Sequence, residues 1–222
     1  MENNQGRDGF VDPHALLSRT DWNTVENCWS DVAQPTEVTL PRLLDDDPRV
    51  QGQALRELSE AVRHDQVLSS ATAPAALFVA AILGDPRTPA MVTDRSEHEE
   101  SYFGTKPEVP LRVALLDWLG DTAADAVAQQ GCAFGEQEDS DAVLDAAPEL
   151  LDAISPFLAD GSPEVREAAL AALLPLLTLP ALAEHVPALR DPARTLAAGD
   201  SHRRPRAVDT LVFWGEDLVG LL

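Results

Sequence analysis

The chain has 222 residues, of which 45% are hydrophobic, and its 38 acids against 16 Lys and Arg give a formal net charge of −22. The apolar share is ordinary for a globular protein and excludes global disorder, and the length suffices for one core or one short repeat array. The acidity excludes nucleic acid and anionic membranes as ligands, because both are bound through Lys and Arg.

The sequence also predicts a cytoplasmic protein without special cysteine chemistry. No apolar run reaches the length of a membrane span, and the N-terminus carries neither a basic region nor an apolar signal segment. Cys28 and Cys132 are far apart, without a CxxC motif or a histidine partner. We therefore interpret them as two inert thiols rather than a disulfide or a metal site.

The N-terminal region predicts a loose terminus followed by a capping helix. Residues 1–9 are polar and glycine-containing, and residues 10–222 are expected to form a single domain. From Asp21 the large apolar residues Trp22, Val25, Trp29 and Val32 recur three and four residues apart. This spacing predicts an amphipathic helix that covers the first repeat, with an aromatic binding stripe as the alternative.

Residues 147–177 predict two helices joined by a tight turn. In the turn, Gly161 is expected at positive φ, Ser162 caps the second helix and Pro163 opens it. Pro148 suits the opening turn of the first helix. The second helix is apolar on most sides, so neighbours should cover both of its faces. The expected apolar positions are Leu150, Leu151, Ile154, Phe157, Leu158, Val165, Ala168, Ala169, Ala172, Leu173 and Leu176.

This unit is repeated within the chain. Residues 36–63 match it without a gap at an offset of 115 residues, so that Pro41 falls on Pro156 and Pro48 on Pro163. The predicted repeats cover residues 36–63, 72–128, 146–178 and 180–222, and insertions interrupt them at residues 90–109 and 129–145. In the last repeat the first helix should run over 180–198 and end at Gly199, and Ser201 should cap the final helix.

The segment from Pro163 to Leu173 resembles a HEAT repeat in its Asp/Ser–Pro turn and its Val-Arg-x-x-Ala-Leu-x-x-Leu run. The resemblance covers roughly residues 36–222 and implies an all-α fold, a right-handed α-solenoid of about four HEAT-like helix pairs behind an N-terminal capping helix. Arrays of this kind usually bind proteins.

The whole chain is also similar to short actinobacterial HEAT-like proteins, in which a Trp-bearing helix precedes the first repeat. The segment Ala71-Thr72-Ala73-Pro74-Ala75 matches an Ala-Thr-x-x-Ala segment of that group, whereas His64-Asp65-Gln66 departs from its His-Gln-Gly element. Some acidic members of this wider class look like immunity proteins of bacterial toxin systems. The resemblance therefore implies a toxin-binding role.

Enzymatic readings of a HEAT-like fold are disfavoured by the residues present. A di-iron site needs several His-Glu pairs, but His98-Glu99 stands alone, so no cofactor or metal is expected. A DNA glycosylase needs a basic groove, and the only dense basic cluster is Arg203, Arg204 and Arg206. We interpret that cluster as opening the last helix or pairing with Asp200 and Asp209.

The acids are unevenly distributed: residues 1–160 carry a net charge of −20 and residues 161–222 a net charge of −2. The Asp45-Asp46-Asp47 cluster lies in a turn, where Asp is a normal cap. The other dense clusters lie in the insertions, which in repeat proteins often form the binding face, with disordered acidic loops as the alternative. The predicted partner-binding residues are Glu97, Glu99, Glu100, Tyr102, Phe103, Glu136, Glu138, Asp139 and Asp141.

These observations favour a non-enzymatic protein-binding module, in particular an immunity protein that masks a basic toxin domain through its acidic loops. Electrostatic complementarity would make association fast and salt-sensitive. A scaffold or adaptor in a larger complex, kept soluble by its acidity, is the first alternative. An enzyme of unknown type is the second.

Overall fold

The computed structural model describes residues 11–29, 34–64, 66–93, 102, 107–130 and 137–217. Helices dominate these residues, and the strands among them are two-residue pieces, so the all-α prediction is confirmed. The predicted loose terminus at residues 1–9 lies outside the described part of the chain.

The elements are mostly helices, joined by turns, 3-10 segments and two short pairs of strands. The α-helices are α1 (Pro13–Leu17), α2 (Thr36–Thr39), α3 (Pro48–Val62), α4 (Thr72–Ile82), α5 (Leu111–Gln129), α6 (Gln137–Asp145), α7 (Ala147–Ile154), α8 (Pro163–Leu176), α9 (Val186–Ala198) and α10 (Arg204–Phe213). Segments of 3-10 helix span Trp22–Thr24, Leu40–Leu44, Ser155–Ala159 and Pro180–His185. Two antiparallel hairpins pair β1 (Arg63–His64) with β2 (Val67–Leu68) and β3 (Met91–Val92) with β4 (Val109–Pro110).

The prediction of an amphipathic helix that begins at Asp21 is wrong. Among the described residues of this stretch, the 3-10 turn Trp22–Thr24 forms instead, and the Asp21 carboxylate caps it by accepting a hydrogen bond from Asn23 N at 3.2 Å. Val25 is already extended, with φ −114° and ψ 150°. Val32, the last residue of the predicted stripe, lies outside the described residues.

The chain after Val25 lies instead against the first helix pair and its hairpin. Cys28 N donates to Ala61 O at 2.6 Å, and Ala71 N donates to Glu26 O at 3.2 Å. These bonds to distant parts of the chain satisfy backbone groups that a local helix would otherwise have paired. Tertiary contacts therefore decide the conformation of this segment.

The predicted helix caps are largely observed, but Gly161 is not at positive φ. Pro48 and Pro163 open α3 and α8, the Asp47 carboxylate accepts from Arg49 N, and the Ser162 hydroxyl accepts from Val165 N. Among the described residues, positive φ occurs at Gln66 and at Gly215. The turn before α8 closes without it, because Asp160 Oδ1 accepts from Ser162 N at 2.8 Å.

The predicted insertion at residues 129–145 contains a helix. Glu138 and Asp139 lie in the first turn of α6, where acids interact favourably with the helix dipole, and Val143 and Leu144 on its inner side are buried. The insertion at residues 90–109 contributes β3 and the start of β4, which pair with each other. The predicted acidic insertion at residues 129–145 therefore contains an amphipathic helix, α6.

The last helix pair departs from the prediction at two points. Its first helix is divided at His185, where a 3-10 segment gives way to α9, and Pro187 lies in the first turn of that helix. The N-cap of α10 is Arg203 rather than Ser201. Ser201 Oγ nevertheless accepts a hydrogen bond from Arg203 N at 3.2 Å, one position before the helix begins.

Helices α3, α5, α8 and α10 pack side by side in that order. Helix α5 contacts both α3 and α8, and α8 also contacts α10 and α7, so the prediction that α8 is covered on both sides is confirmed. Backbones approach closely where α5 crosses α8, since a Cβ atom built on Gly120 would lie 2.9 Å from Ala172 Cα. The side chains at the centre of the core include Leu115, Leu116, Leu119, Leu150, Ile154 and Leu173.

A buried ion pair anchors the N-terminal segment. The fully buried Asp85 accepts from Arg87 Nε and Nη2 and from Val11 N, at 2.8, 2.8 and 2.9 Å, and Arg87 Nη1 donates to Leu44 O at 2.9 Å. Burial alone would raise the pKa of Asp85, but the hydrogen bonds and the positive charge of Arg87 together lower that pKa. The Asp85–Arg87 ion pair thus links the turn after α4 to the chain at Val11 and at Leu44.

Candidate functional site

Helices α6 and α7 form an almost continuous rod. Ala146, which separates them, keeps right-handed helical angles with φ −77° and ψ −5°. Ala146 N donates to Ala142 O at 3.3 Å, and Leu150 N donates to Ala146 O at 3.0 Å. These two i to i−4 hydrogen bonds flank the junction, where Pro148 has no N–H to donate, and the helical angles of Ala146 allow side chains on both helices to share one face.

Five acids share the outer face of this rod. They follow one another at intervals of three, four, four and three residues, which is the spacing of a single helical face, and all five are exposed. From the first to the last of them the rod rises about 21 Å at roughly 1.5 Å per residue. We call this set the acidic stripe: Glu138, Asp141, Asp145, Glu149 and Asp152.

The carboxylates of the acidic stripe have no counter-charge within the described part of the chain. None of them forms an ion pair or a side-chain hydrogen bond there. The sequence explains this, because it contains no Lys, Arg or His between Arg112 and Arg166. Neighbouring like charges at i, i+3 and i, i+4 destabilise a helix. The stripe therefore has no partner side chain in the described fold, although Glu138 and Glu149 lie in first helical turns, where the helix dipole favours acids.

The structure separates the predicted partner-binding residues into three groups. Glu138 and Asp141 belong to the acidic stripe, and Tyr102 is 73% exposed. Asp139 lies on the opposite side of α6 and is 9% exposed, so it is not a freely exposed acid as predicted. The remaining predicted residues lie outside the described part of the chain: Glu97, Glu99, Glu100, Phe103 and Glu136.

Sequence reasoning missed Asp145, Glu149 and Asp152. Asp145 falls within the predicted insertion at residues 129–145, and Glu149 and Asp152 fall within the predicted repeat at residues 146–178. The signal was present, since these acids continue the three- and four-residue spacing that begins at Glu138 and Asp141. A periodicity test applied to charged residues as well as apolar residues would have identified the stripe.

A second row of acids lies on α5, and arginines from distant parts of the chain neutralise it. The row has the four-residue spacing of one helical face, and its arginine partners come from α10 and from the end of α3. Each acid accepts a hydrogen bond from one arginine. The pairs are Asp117 with Arg203, Asp121 with Arg206 and Asp125 with Arg63.

Arg203 is the most buried of these arginines, with 4% of its side chain exposed. Its Nε and Nη2 donate to both oxygens of Asp117 at 2.6 Å, and Nη1 donates to Glu167 at 3.0 Å. Burial alone would lower the pKa of Arg203, but the two carboxylates outweigh it and raise that pKa. The arginine cluster therefore joins helices, and its partners are not the predicted Asp200 and Asp209.

The paired row borders a groove of about 580 Å³ lined by α3, α5, α10 and the β3–β4 hairpin. The arginines that line it, Arg63, Arg203 and Arg206, are already ion-paired. Trp118 Nε1 and Arg206 Nη1 have no hydrogen-bond partner, but both atoms are shielded from solvent. The arginines of the groove and these two buried N–H groups are therefore not available to bind a ligand.

A second cavity, of about 660 Å³, lies between the N-terminal segment, the β1–β2 hairpin and the start of α6. The Trp29 ring lies edge-on to the His64 ring, with centroids 4.9 Å apart. We call this the Trp29 cavity. The residues that line it are Glu26, Asn27, Cys28, Trp29, His64, Val67, Leu68, Ser69, Ser70 and Asp139.

The Trp29 cavity brings a cysteine, a histidine and a carboxylate together, so it requires a test for nucleophilic catalysis. Burial raises the pKa of the Cys28 thiol despite hydrogen bonds that act in the opposite direction. Cys28 Sγ donates to Val67 O at 3.7 Å. A catalytic cysteine needs a lowered pKa and a stabilised thiolate. Cys28 has the properties of a half-buried structural thiol, and Cys132 lies outside the described residues.

The described residues contain no group of three His, Cys, Asp or Glu side chains that could hold a metal ion. None of their helices is both long enough and apolar enough to cross a bilayer. The acidic stripe and the Trp29 cavity are the candidate binding surfaces.

No protein-family model, curated protein sequence or solved structure matches the chain. The function is therefore argued from the charges, cavities and exposed side chains of this molecule.

Proposed function

We propose that the chain is a non-enzymatic, cytoplasmic protein-binding module, and specifically an immunity protein that masks a basic toxin domain. The architecture proposed with it is a right-handed α-solenoid of about four HEAT-like helix pairs. The order of helix contacts supports this, since α3, α5, α8 and α10 are successive neighbours and α4 contacts α7 in the other layer. Repeat arrays of this kind offer long surfaces for binding proteins.

The observation that carries the proposal is the acidic stripe. Its five carboxylates are exposed on a helical rod, unpaired within the described chain, and spaced so that neighbours repel. Acids that served only folding would be paired, as Asp117, Asp121 and Asp125 are on α5. A stripe of this kind gains its counter-charges when Lys and Arg side chains of a partner approach it.

The mechanism is electrostatic steering followed by masking. The net charge of −22 attracts a basic domain over several ångströms, and the stripe fixes the orientation of the encounter. Burying the partner's basic surface would block the same side chains that it needs for an anionic substrate. The association rate should fall steeply with ionic strength, because the Debye length shrinks to about 8 Å at 0.15 M salt.

The test is binding of the product of the neighbouring open reading frame at low salt. The decisive variant reverses the middle of the stripe, as Asp141→Lys, Asp145→Lys and Glu149→Lys together. We expect the dissociation constant to rise by about tenfold or more, mainly through a slower association rate, because charge–charge attraction is replaced by repulsion. Circular dichroism and the urea midpoint establish that the variant is folded.

A matched control separates the stripe from overall charge. Glu60→Lys, Asp200→Lys and Asp209→Lys change the net charge by the same amount at exposed acids outside the stripe. If the control weakens binding as much as the stripe variant, net charge alone explains the affinity. If neither variant weakens binding, the partner uses another face, as expected of a scaffold or adaptor. Absence of binding at low salt contradicts the immunity function.

A further inference from the structure

We propose that the Trp29 cavity is the apolar anchor site of the same binding surface. It would receive one large apolar side chain from a basic segment of the partner, while the acidic stripe pairs with the Lys and Arg side chains of that segment. This inference rests on the proposed function and specifies the chemistry of the partner.

The mouth of the cavity exposes large apolar side chains. Trp29 is 50% exposed and Val67 is 52% exposed, and both line the cavity together with Leu68 and Cys28. An exposed Trp beside an exposed Val in a concavity marks an interaction site more often than an isolated exposed residue does. Interfaces place their largest energy contributions at aromatic residues in such pockets.

The cavity and the acidic stripe are held together by packing. Leu68 lines the cavity and packs in one apolar cluster with Val143 and Leu144 of α6. Asp139 of the same helix, directly after Glu138 of the stripe, also lines the cavity. The first residue of the stripe, Glu138, is therefore the chain neighbour of a cavity-lining residue.

Hydrogen bonds through Gln129 fix the hairpin that carries Val67. Ser140 Oγ of α6 donates to Gln129 Oε1 at 2.6 Å, and Gln129 Nε2 donates to Gln66 O. Gln66 adopts φ 67° at the hairpin turn, a backbone conformation that side-chain-bearing residues seldom adopt. The position of Val67 relative to α6 is thus fixed before a partner binds, which reduces the entropy cost of binding.

Charge complementarity selects the occupant. The exposed Glu26 lines the cavity, and no Lys or Arg is among its lining residues. An apolar side chain on a neutral or acidic segment would bring no counter-charge to Glu26 or to the stripe. The stripe rises about 21 Å, so an extended basic segment of roughly seven residues spans it at about 3.3 Å per residue.

The experiment uses the full chain labelled with 5-fluorotryptophan and two synthetic peptides of twelve residues. The peptides carry the same five lysines and differ at one position near the end, which is Phe in one peptide and Ala in the other. The chain has four Trp, so the four ¹⁹F signals are assigned by single Trp→Phe variants. We expect the Phe peptide to bind about tenfold tighter and to shift the Trp29 signal while the signal of the buried Trp118 stays in place.

Two valines give a matched control pair. Val67→Asp places a charge at the cavity, and Val38→Asp places the same charge on α2, where the parent valine is 51% exposed and does not line the cavity. We expect Val67→Asp to abolish the preference for the Phe peptide and Val38→Asp to preserve it. The Ala peptide should bind both variants about equally, because its contacts are to the stripe alone.

The outcomes separate this inference from the proposed function. If both peptides bind equally, the Trp29 signal does not move and reversing the stripe abolishes binding, the anchor is refuted while the acidic surface stands. If the Phe peptide binds regardless of stripe charge, the cavity takes an apolar ligand independently, and the combined site is refuted. If neither peptide binds at low salt, the anchor is refuted and the proposed acidic surface loses its support.

Discussion

Replacing Asp145 by Lys should make the free protein more stable. Asp145 lies between Asp141 and Glu149, each four residues away on the same exposed face, and no described base is paired with any of the three. A repulsive i, i+4 pair costs about 0.2–0.5 kcal/mol, and an attractive one contributes a similar amount. Converting two repulsive pairs into two attractive pairs therefore gives about 1–2 kcal/mol. For a chain of this size, that raises Tm by roughly 2–4 °C per kcal/mol.

The assay is urea unfolding at low salt and again in about 1 M NaCl, where the Debye length is about 3 Å. The electrostatic gain should largely disappear at high salt, whereas any gain from the better helix propensity of Lys should remain. Glu60→Lys is the control of opposite sign, since Glu60 is exposed on α3 one turn after Arg56 and should lose about 0.4–1 kcal/mol. A salt-independent change, or destabilisation by Asp145→Lys, would refute the argument that the stripe is unpaired.

Two further predictions concern the scaffold that holds the site. Gly120→Ala should cost about 1–3 kcal/mol, because its Cβ would lie 2.9 Å from Ala172 Cα, whereas Gly161→Ala meets nothing within 4 Å and should be neutral in urea unfolding. Asp85→Asn should cost about 3–5 kcal/mol, since it leaves Arg87 without its buried counter-charge. Because folding lowers the pKa of Asp85, its contribution is complete above the ordinary aspartate pKa of about 3.9 and is lost as the pH falls below it. The urea midpoint of the Asn variant should lack this acid-dependent component; equal midpoints for the two proteins at neutral pH would contradict the role of the buried pair.

Much of the helical framework could be predicted from local signals. The turns at Pro48 and Pro163 were predictable because a capping side chain followed by proline leaves few alternatives, and both are observed. The predictions fail where contacts between distant parts of the chain determine the local conformation. The apolar spacing around Trp22 is helical, but the chain after Thr24 is extended and forms hydrogen bonds with Ala61 and Ala71 instead.

The candidate site was predictable in part for a related reason. The acidity near Glu138 and Asp141 marked the region, but its composition suggested a loop, because acids are read as solvated and not as helical. Whether an acid is exposed depends on its helical phase, so Asp139 is buried while Glu138 and Asp141 are exposed once α6 forms. The exposure of Trp29 could not be predicted either, since it follows from the extended path of the N-terminal segment.

The acids of this chain belong to two physically different classes that composition cannot distinguish. Residues 113–165 contain twelve acids and no Lys or Arg, so every counter-charge for them must come from elsewhere in the chain or from a partner. The fold delivers Arg63, Arg203 and Arg206 to the acids on α5, and delivers no described base to the acidic stripe on α6 and α7. Acidity needed only for solubility would not require unpaired carboxylates in register over four turns of helix, at a cost to stability. The selective pairing of one row therefore favours a basic partner for the other.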